Sequence, residues 1–121
     1  MFKKHLLTLL ICSIFTFLAF GSGDDKATKQ DPAKLDSEAF IISKQFVKAG
    51  LKAPGSAEFP SLDYSSYYQG DSSYIVKSYV DAQNSFGAKL RLHYTAKLKY
   101  NGGDWAEISN WTLVDLQTSE Q

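Results

Sequence analysis

The chain of 121 residues has one cysteine, Cys12, and two histidines, His5 and His93. A lone cysteine excludes an internal disulfide framework and a multi-cysteine zinc site. The histidines lack metal-ligand spacing, and there is neither a phosphate-binding glycine loop nor a Gly-x-Ser-x-Gly turn. Charge of one sign is also missing: 13 Lys and Arg balance 13 Asp and Glu. Nothing basic enough for a nucleic-acid partner remains. The longest uncharged apolar stretch runs from Leu6 to Phe20, short of the roughly 20 residues a membrane-spanning helix needs. No internal repeat occurs. What is present is 44% hydrophobic and 14% aromatic residues, a composition that buries a core, in a length that suits one domain.

Residues 1–21 read as a secretory signal. Lys3, Lys4 and His5 form a basic start, Leu6–Phe20 an apolar middle, and Ala19-Phe20-Gly21 a cleavage site after Gly21. A lipoprotein signal fits poorly. Ile11 before Cys12 is bulky, and the apolar stretch continues past the cysteine. Cleavage gives an extracytoplasmic protein, periplasmic or secreted; without it, residues 6–20 remain as a membrane anchor. Loss of Lys3 and Lys4 leaves an excess of two acids, a single histidine, His93, and no cysteine.

Residues 22–35 are small, charged and aperiodic, and read as a flexible spacer. A single domain is expected over 36–117, with a frayed tail at 118–121. Asp36 has the chemistry of an N-cap, with Leu35 and Phe40 as a hydrophobic staple around it. Ala39, Ile42, Phe46, Val47, Gly50 and Leu51 recur at helical spacing. An amphipathic helix is therefore expected over 37–52, stopped by Pro54 and Gly55. Phe59 is the expected core anchor of the loop that follows.

Beyond the loop the period falls to two. Residues 61–68 form a candidate first strand and 69–72 a turn. In 73–82, Tyr74, Val76, Ser78, Val80 and Ala82 share one face. In 88–100, Ala88, Leu90, Leu92, Tyr94, Ala96, Leu98 and Tyr100 alternate with Lys89, Arg91, His93, Thr95, Lys97 and Lys99. Such alternation marks strands with one face on a core and one in water. A last strand or strand pair covers 105–116, with a bulge or break near Asn110. One apolar helix face and one apolar sheet face bury each other. The expected class is α+β: an N-terminal amphipathic helix on a three- to four-stranded antiparallel sheet, an element order that suits a cystatin-like arrangement.

The segments Leu51–Pro60 (LKAPGSAEFP) and Val80–Lys89 (VDAQNSFGAK), with Tyr94, Leu98 and Trp111-Thr112-Leu113, resemble a group of small uncharacterised exported bacterial domains. The resemblance spans about residues 40–116. It implies a single small exported domain and brings no catalytic residue with it. The Asn110-Trp111-Thr112 sequon carries no weight in a bacterial protein.

Two stretches concentrate binding chemistry. The turn 81–87 holds Asp81, Gln83, Asn84, Ser85 and Phe86. Asp81 and Ser85 are expected to bond turn amides, with Phe86 as a ligand anchor. The wet side of 88–100 holds Lys89, Arg91, His93, Lys97 and Lys99, with Tyr79 and either tryptophan beside them. This row suits an acidic partner, or pairs with Asp81, Glu107 and Asp115 as an ordinary solvated face. Tyr64, Tyr67, Tyr68 and Tyr74 form a third candidate surface.

The inventory for catalysis is thin. A Ser–His–Asp triad would need His93 in mid-strand, and only converging Asp81, Glu107 and Asp115 would supply paired carboxylates. The expected function is a non-catalytic binding module of the cell envelope. The alternatives are a small-ligand or envelope-polymer binder and, behind these, a hydrolase. No metal or cofactor is expected. The expected partner is an envelope protein or a small ligand, not nucleic acid, with membrane contact only through an uncleaved signal.

Overall fold

The computed structural model describes residues 30–121; the signal segment 1–21 and most of the 22–35 spacer lie outside them. Helix α1 spans Asp36–Ala49, and four strands follow: β1 Ser65–Gly70, β2 Ser73–Gln83, β3 Lys89–Tyr100 and β4 Trp111–Glu120. They form one antiparallel meander in the order β1-β2-β3-β4. The α+β expectation, one helix on a four-stranded antiparallel sheet, is met.

The helix buries Ala39, Phe40, Ile42, Ser43 and Val47. Asp36 and Glu38 in its first turn and Lys48 in its last complement the helix dipole. Its start differs from expectation. Leu35, not Asp36, occupies the N-cap position, and no side chain caps the helix. The Leu35 carbonyl accepts the first helical bond from the Ala39 amide, and its side chain is buried in the core. Burial at the entry outweighs a capping hydroxyl or carboxylate. The helix also ends before 52, because the amide of Gly50 folds back onto the last turn. Gly50 is exposed, outside the buried stripe.

Against the helix, Tyr74, Val76, Val80 and Ala82 from β2 meet Tyr94, Ala96, Leu98 and Tyr100 from β3, with Trp111 from β4. The strand phase matches the alternation. Burial of aliphatic side chains such as Ile42, Val47 and Leu98 stabilises by roughly 1.5–3 kcal/mol each. Phe59 packs edge-on against Tyr94, with ring centroids 6.5 Å apart, as the loop anchor expected.

Beyond the helix, the expected boundaries change in three further places. The first strand begins at Ser65, four residues late, and β1 and β2 join through Asp71 and Ser72, both at positive φ (53° and 56°). A two-residue hairpin of this hand matches strand twist, and short polar residues tolerate it. The spacer is not free at its end. The Tyr74 hydroxyl accepts from the Leu35 amide at 2.9 Å and donates to the Pro32 carbonyl, fixing 32–35 to β2. Nor is the tail frayed. The break at Asn110 is a single 3-10 turn over Ile108–Asn110, and β4 then runs to Glu120, paired with β3 as far as Leu92. The bulge falls inside β4, where Leu98 opposes Leu113 and Lys97 opposes Asp115, leaving Val114 extra.

Candidate functional site

The helix covers one side of the sheet. The other side carries the alternate residues of β2, β3 and β4, and the predicted basic row lies there. Near its end at the 84–88 turn, Asp81 of β2 faces Arg91 of β3. The guanidinium donates to both carboxylate oxygens, at 2.8 and 2.9 Å, and stacks over the Tyr79 ring at 3.9 Å. A planar fork held by a carboxylate at its edge and an aromatic at its face has little freedom left. The hydrogen bond from Arg91 holds the Asp81 carboxyl below its ordinary range, with Lys89 and His93 adding to the effect. Asp81 thus stays ionised and is no proton donor. It does not bond turn amides, as expected of it; Arg91 holds it instead.

His93 sits beside this stack, its ring edge-on to Tyr79 at 6.1 Å. Its Nε2 lies 3.0 Å from Oε1 of Gln121. Shallow depressions flank it on both sides. One, of about 370 Å³, is lined by Asp63, Ser65, Lys77, Ser78, Tyr79 and His93. The other, of about 200 Å³, lies over His93, Thr95, Gln117 and Ser119. Lys97 stands four residues further along β3, opposite Asp115, and makes no ion pair among the described residues. Lys89 pairs with Glu58 at 2.6 Å and Lys99 with Asp71 at 3.5 Å. Two of the row's cations are therefore neutralised from loops, not from the neighbouring strand faces.

The turn 84–88 projects from the end of this surface. Asn84 organises it: Oδ1 accepts from the amides of Phe86 and Ala88 at 2.9 and 3.0 Å, and Gly87 takes positive φ (81°). Ser85 is exposed, and its side chain holds no turn amide. Phe86 is 94% exposed on a loop whose backbone is pinned beneath it. The Gln83 side chain is exposed at the strand end, while its amide donates to Ser56 Oγ at 2.9 Å.

The structure thus brings Asp81, Arg91, His93 and Tyr79 into one constellation. Lys97 lies further along the same face and Phe86 at its tip. It does not bring Trp111 there: that ring is buried, and its Nε1 donates to the Trp105 carbonyl at 2.8 Å. The tyrosine cluster divides as well. Tyr74 is buried and Tyr64 stacks on Phe40 with ring centroids 3.8 Å apart, so only Tyr67 and Tyr68 are exposed. Asp81 and Asp115 lie at opposite ends of the sheet face, about 20 Å apart by strand rise alone, and Glu107 is in the 101–110 loop. The carboxylates do not converge. No group of three or more potential metal ligands occurs among the described residues.

A larger depression, about 570 Å³, is elsewhere, lined by Gln30, Pro32, Ser72, Tyr100, Asn101 and the glycines after it. Its walls are loop backbone, and the one titratable hydroxyl, on Tyr100, is committed to the Gly103 carbonyl. Between helix and sheet the remaining space is small, about 130 Å³ near Leu51, Leu90 and Leu92. No deep apolar chamber occurs there among the described residues.

Sequence reading missed Gln121, Glu58 and the bracing role of Asn84. Gln121 belonged to a tail expected to fray, and Glu58 to a loop with no period. Only Asn84 carried a signal, its residue type in a turn. No helix among the described residues is long and apolar enough to cross a membrane. Neither a family model nor a curated protein nor a solved structure matches the chain.

Proposed function

We propose that this protein is a non-catalytic binding module of the bacterial cell envelope, exported by residues 1–21. It engages an envelope protein through the sheet face opposite the helix. The observation that carries the reading is the Asp81–Arg91–Tyr79 stack beside His93, near the 84–88 turn on the face that no described residue outside the sheet's own loops covers. A pre-ordered arginine and exposed aromatic edges lose little entropy when a partner docks, and both residue types dominate binding energy at interfaces. Phe86 at the tip of the adjoining turn extends the contact.

The test is site-specific photo-cross-linking in the native host. A photoreactive residue replaces Tyr79 or Phe86, and a third replaces Gln45 on the exposed helix side. One discrete protein adduct at Tyr79 and Phe86, absent at Gln45, supports the reading. The same adducts from all three positions, or none from any, overturn it. An anionic envelope polymer on the same face is the second reading. It is favoured by Lys77 and Lys97, which make no ion pair among the described residues. That reading expects polymer to co-purify with the parent and not with Lys77→Glu/Lys97→Glu.

A further inference from the structure

The two edges of the sheet are built differently. β1 has six residues and a register shift between Tyr68 and Gly70. Short length and irregularity keep an edge from recruiting another strand. β4 has ten residues, and beyond its bulge the stretch Asp115–Glu120 is regular, without proline or lysine.

Hydrogen-bond parity shows which backbone groups of β4 face outward. The Gln121 amide donates to the Arg91 carbonyl. In an antiparallel ladder bonded pairs alternate with non-bonded ones. With the register of β3 and β4, Ser119, Gln117 and Asp115 therefore bond to β3. The N–H and C=O groups of Leu116, Thr118 and Glu120 point away from it. The bond from the Tyr100 amide to the Ser72 carbonyl gives the same parity, since even-numbered residues of β3 turn toward β2. No partner strand covers these β4 groups among the described residues.

We propose that this edge pairs antiparallel with β4 of a second copy of the chain, joining two sheets into one. Centred on Thr118, the pairing sets Thr118 against its own counterpart and Leu116 against Glu120. Each such pair exchanges a reciprocal set of backbone bonds. The two-fold axis stands perpendicular to the sheet, so both helices stay on one side and both basic faces on the other. Charge permits it: Asp115 falls opposite Gln121 and Glu120 opposite Leu116, so no acid meets an acid. A second copy fits because the same outward groups recur at matching spacing on both strands. The inference does not rest on the proposed function.

The experiment combines sedimentation velocity and residue-resolved amide exchange on the protein as recovered from its host, from about 10 μM to about 1 mM. The expected result is a monomer–dimer equilibrium. As dimer forms, the amides of Leu116, Thr118 and Glu120 slow by about tenfold or more, while those of Gln117 and Ser119, already bonded to β3, are protected throughout. Thr118→Pro removes an outward donor and no bond to β3, and is expected to weaken the dimer at least about tenfold. A monomer across the whole range overturns the inference. So does a dimer that leaves exchange at those three amides unchanged. Should Thr118→Pro fail to fold, the exchange pattern of the parent decides alone.

Discussion

Two buried hydroxyls carry opposite consequences at the scale of single residues. Ser43 is fully buried on α1; its Oγ donates to the Phe40 carbonyl at 2.7 Å and so accepts from the Tyr94 hydroxyl at 3.0 Å. Ser43→Ala removes that acceptor from a buried phenol and is expected to cost about 1–3 kcal/mol. Tyr94→Phe leaves Ser43 still bonded to Phe40 and is expected to cost less, about 1 kcal/mol. Ser66 is the reverse case, with its buried Oγ lacking a partner among the described residues. Ser66→Ala is expected to be neutral or to stabilise by up to about 1 kcal/mol. Urea denaturation of the three variants checks the order. None of this was legible in the sequence. A serine in a helical stripe reads as an interruption, and whether its hydroxyl finds a partner depends on a strand 51 residues away.

Elements behave as their periodicity says they should. Leu98 and Lys97 are neighbours on β3 facing opposite ways, one fully buried and one on the wet side. Leu98→Asp places an unpaired charge among Ile42, Val76 and Tyr74, at a cost of several kcal/mol. Against a typical stability of about 5–15 kcal/mol, loss of cooperative unfolding is expected. Lys97→Glu is expected to leave the melting curve unchanged. Comparable melting of the two variants would mean that the strand phase is wrong. Turns add a smaller contribution. Asn84→Ala deletes the acceptor of two loop amides and is expected to lower stability by about 1 kcal/mol, with Phe86 losing its fixed position. Phase, turn positions and helix face were readable because each follows from local chemistry repeated along the chain. The helix start was not. Capping preference is worth about 1 kcal/mol, and the buried Leu35 side chain outbid it.

The molecule as a whole responds to pH at both extremes. Burial raises the phenols of Tyr74, Tyr94 and Tyr100 above their ordinary 10.0. They hold protons more tightly folded than unfolded, so their contribution is intact below pH 10 and is lost as pH rises beyond it. Absorbance titration at 295 nm is expected to show these three ionising above pH 10, together with the loss of folded structure. Asp81 works in the other direction. Its carboxyl is depressed below 3.8 by Arg91, so its contribution is present above that value and fades as pH falls through the lower folded one. Asp81→Asn is expected to melt below the parent at pH 7 and to converge with it in strong acid.

The residues alone determined the class of fold, the strand phase and which residues stand on the wet side of the sheet. These follow from periods of 3.6 and two, which each segment carries without reference to the others. The contacts between segments were decided by tertiary structure. Arg91 finds Asp81 through register, Lys89 finds Glu58 from a loop, and Tyr74 ties down Pro32 and Leu35. The tail extends β4 to Glu120 for the same reason. Its polar residues have weak intrinsic preference for a strand, and they take that form because β3 offers them a ladder of unpaired backbone groups.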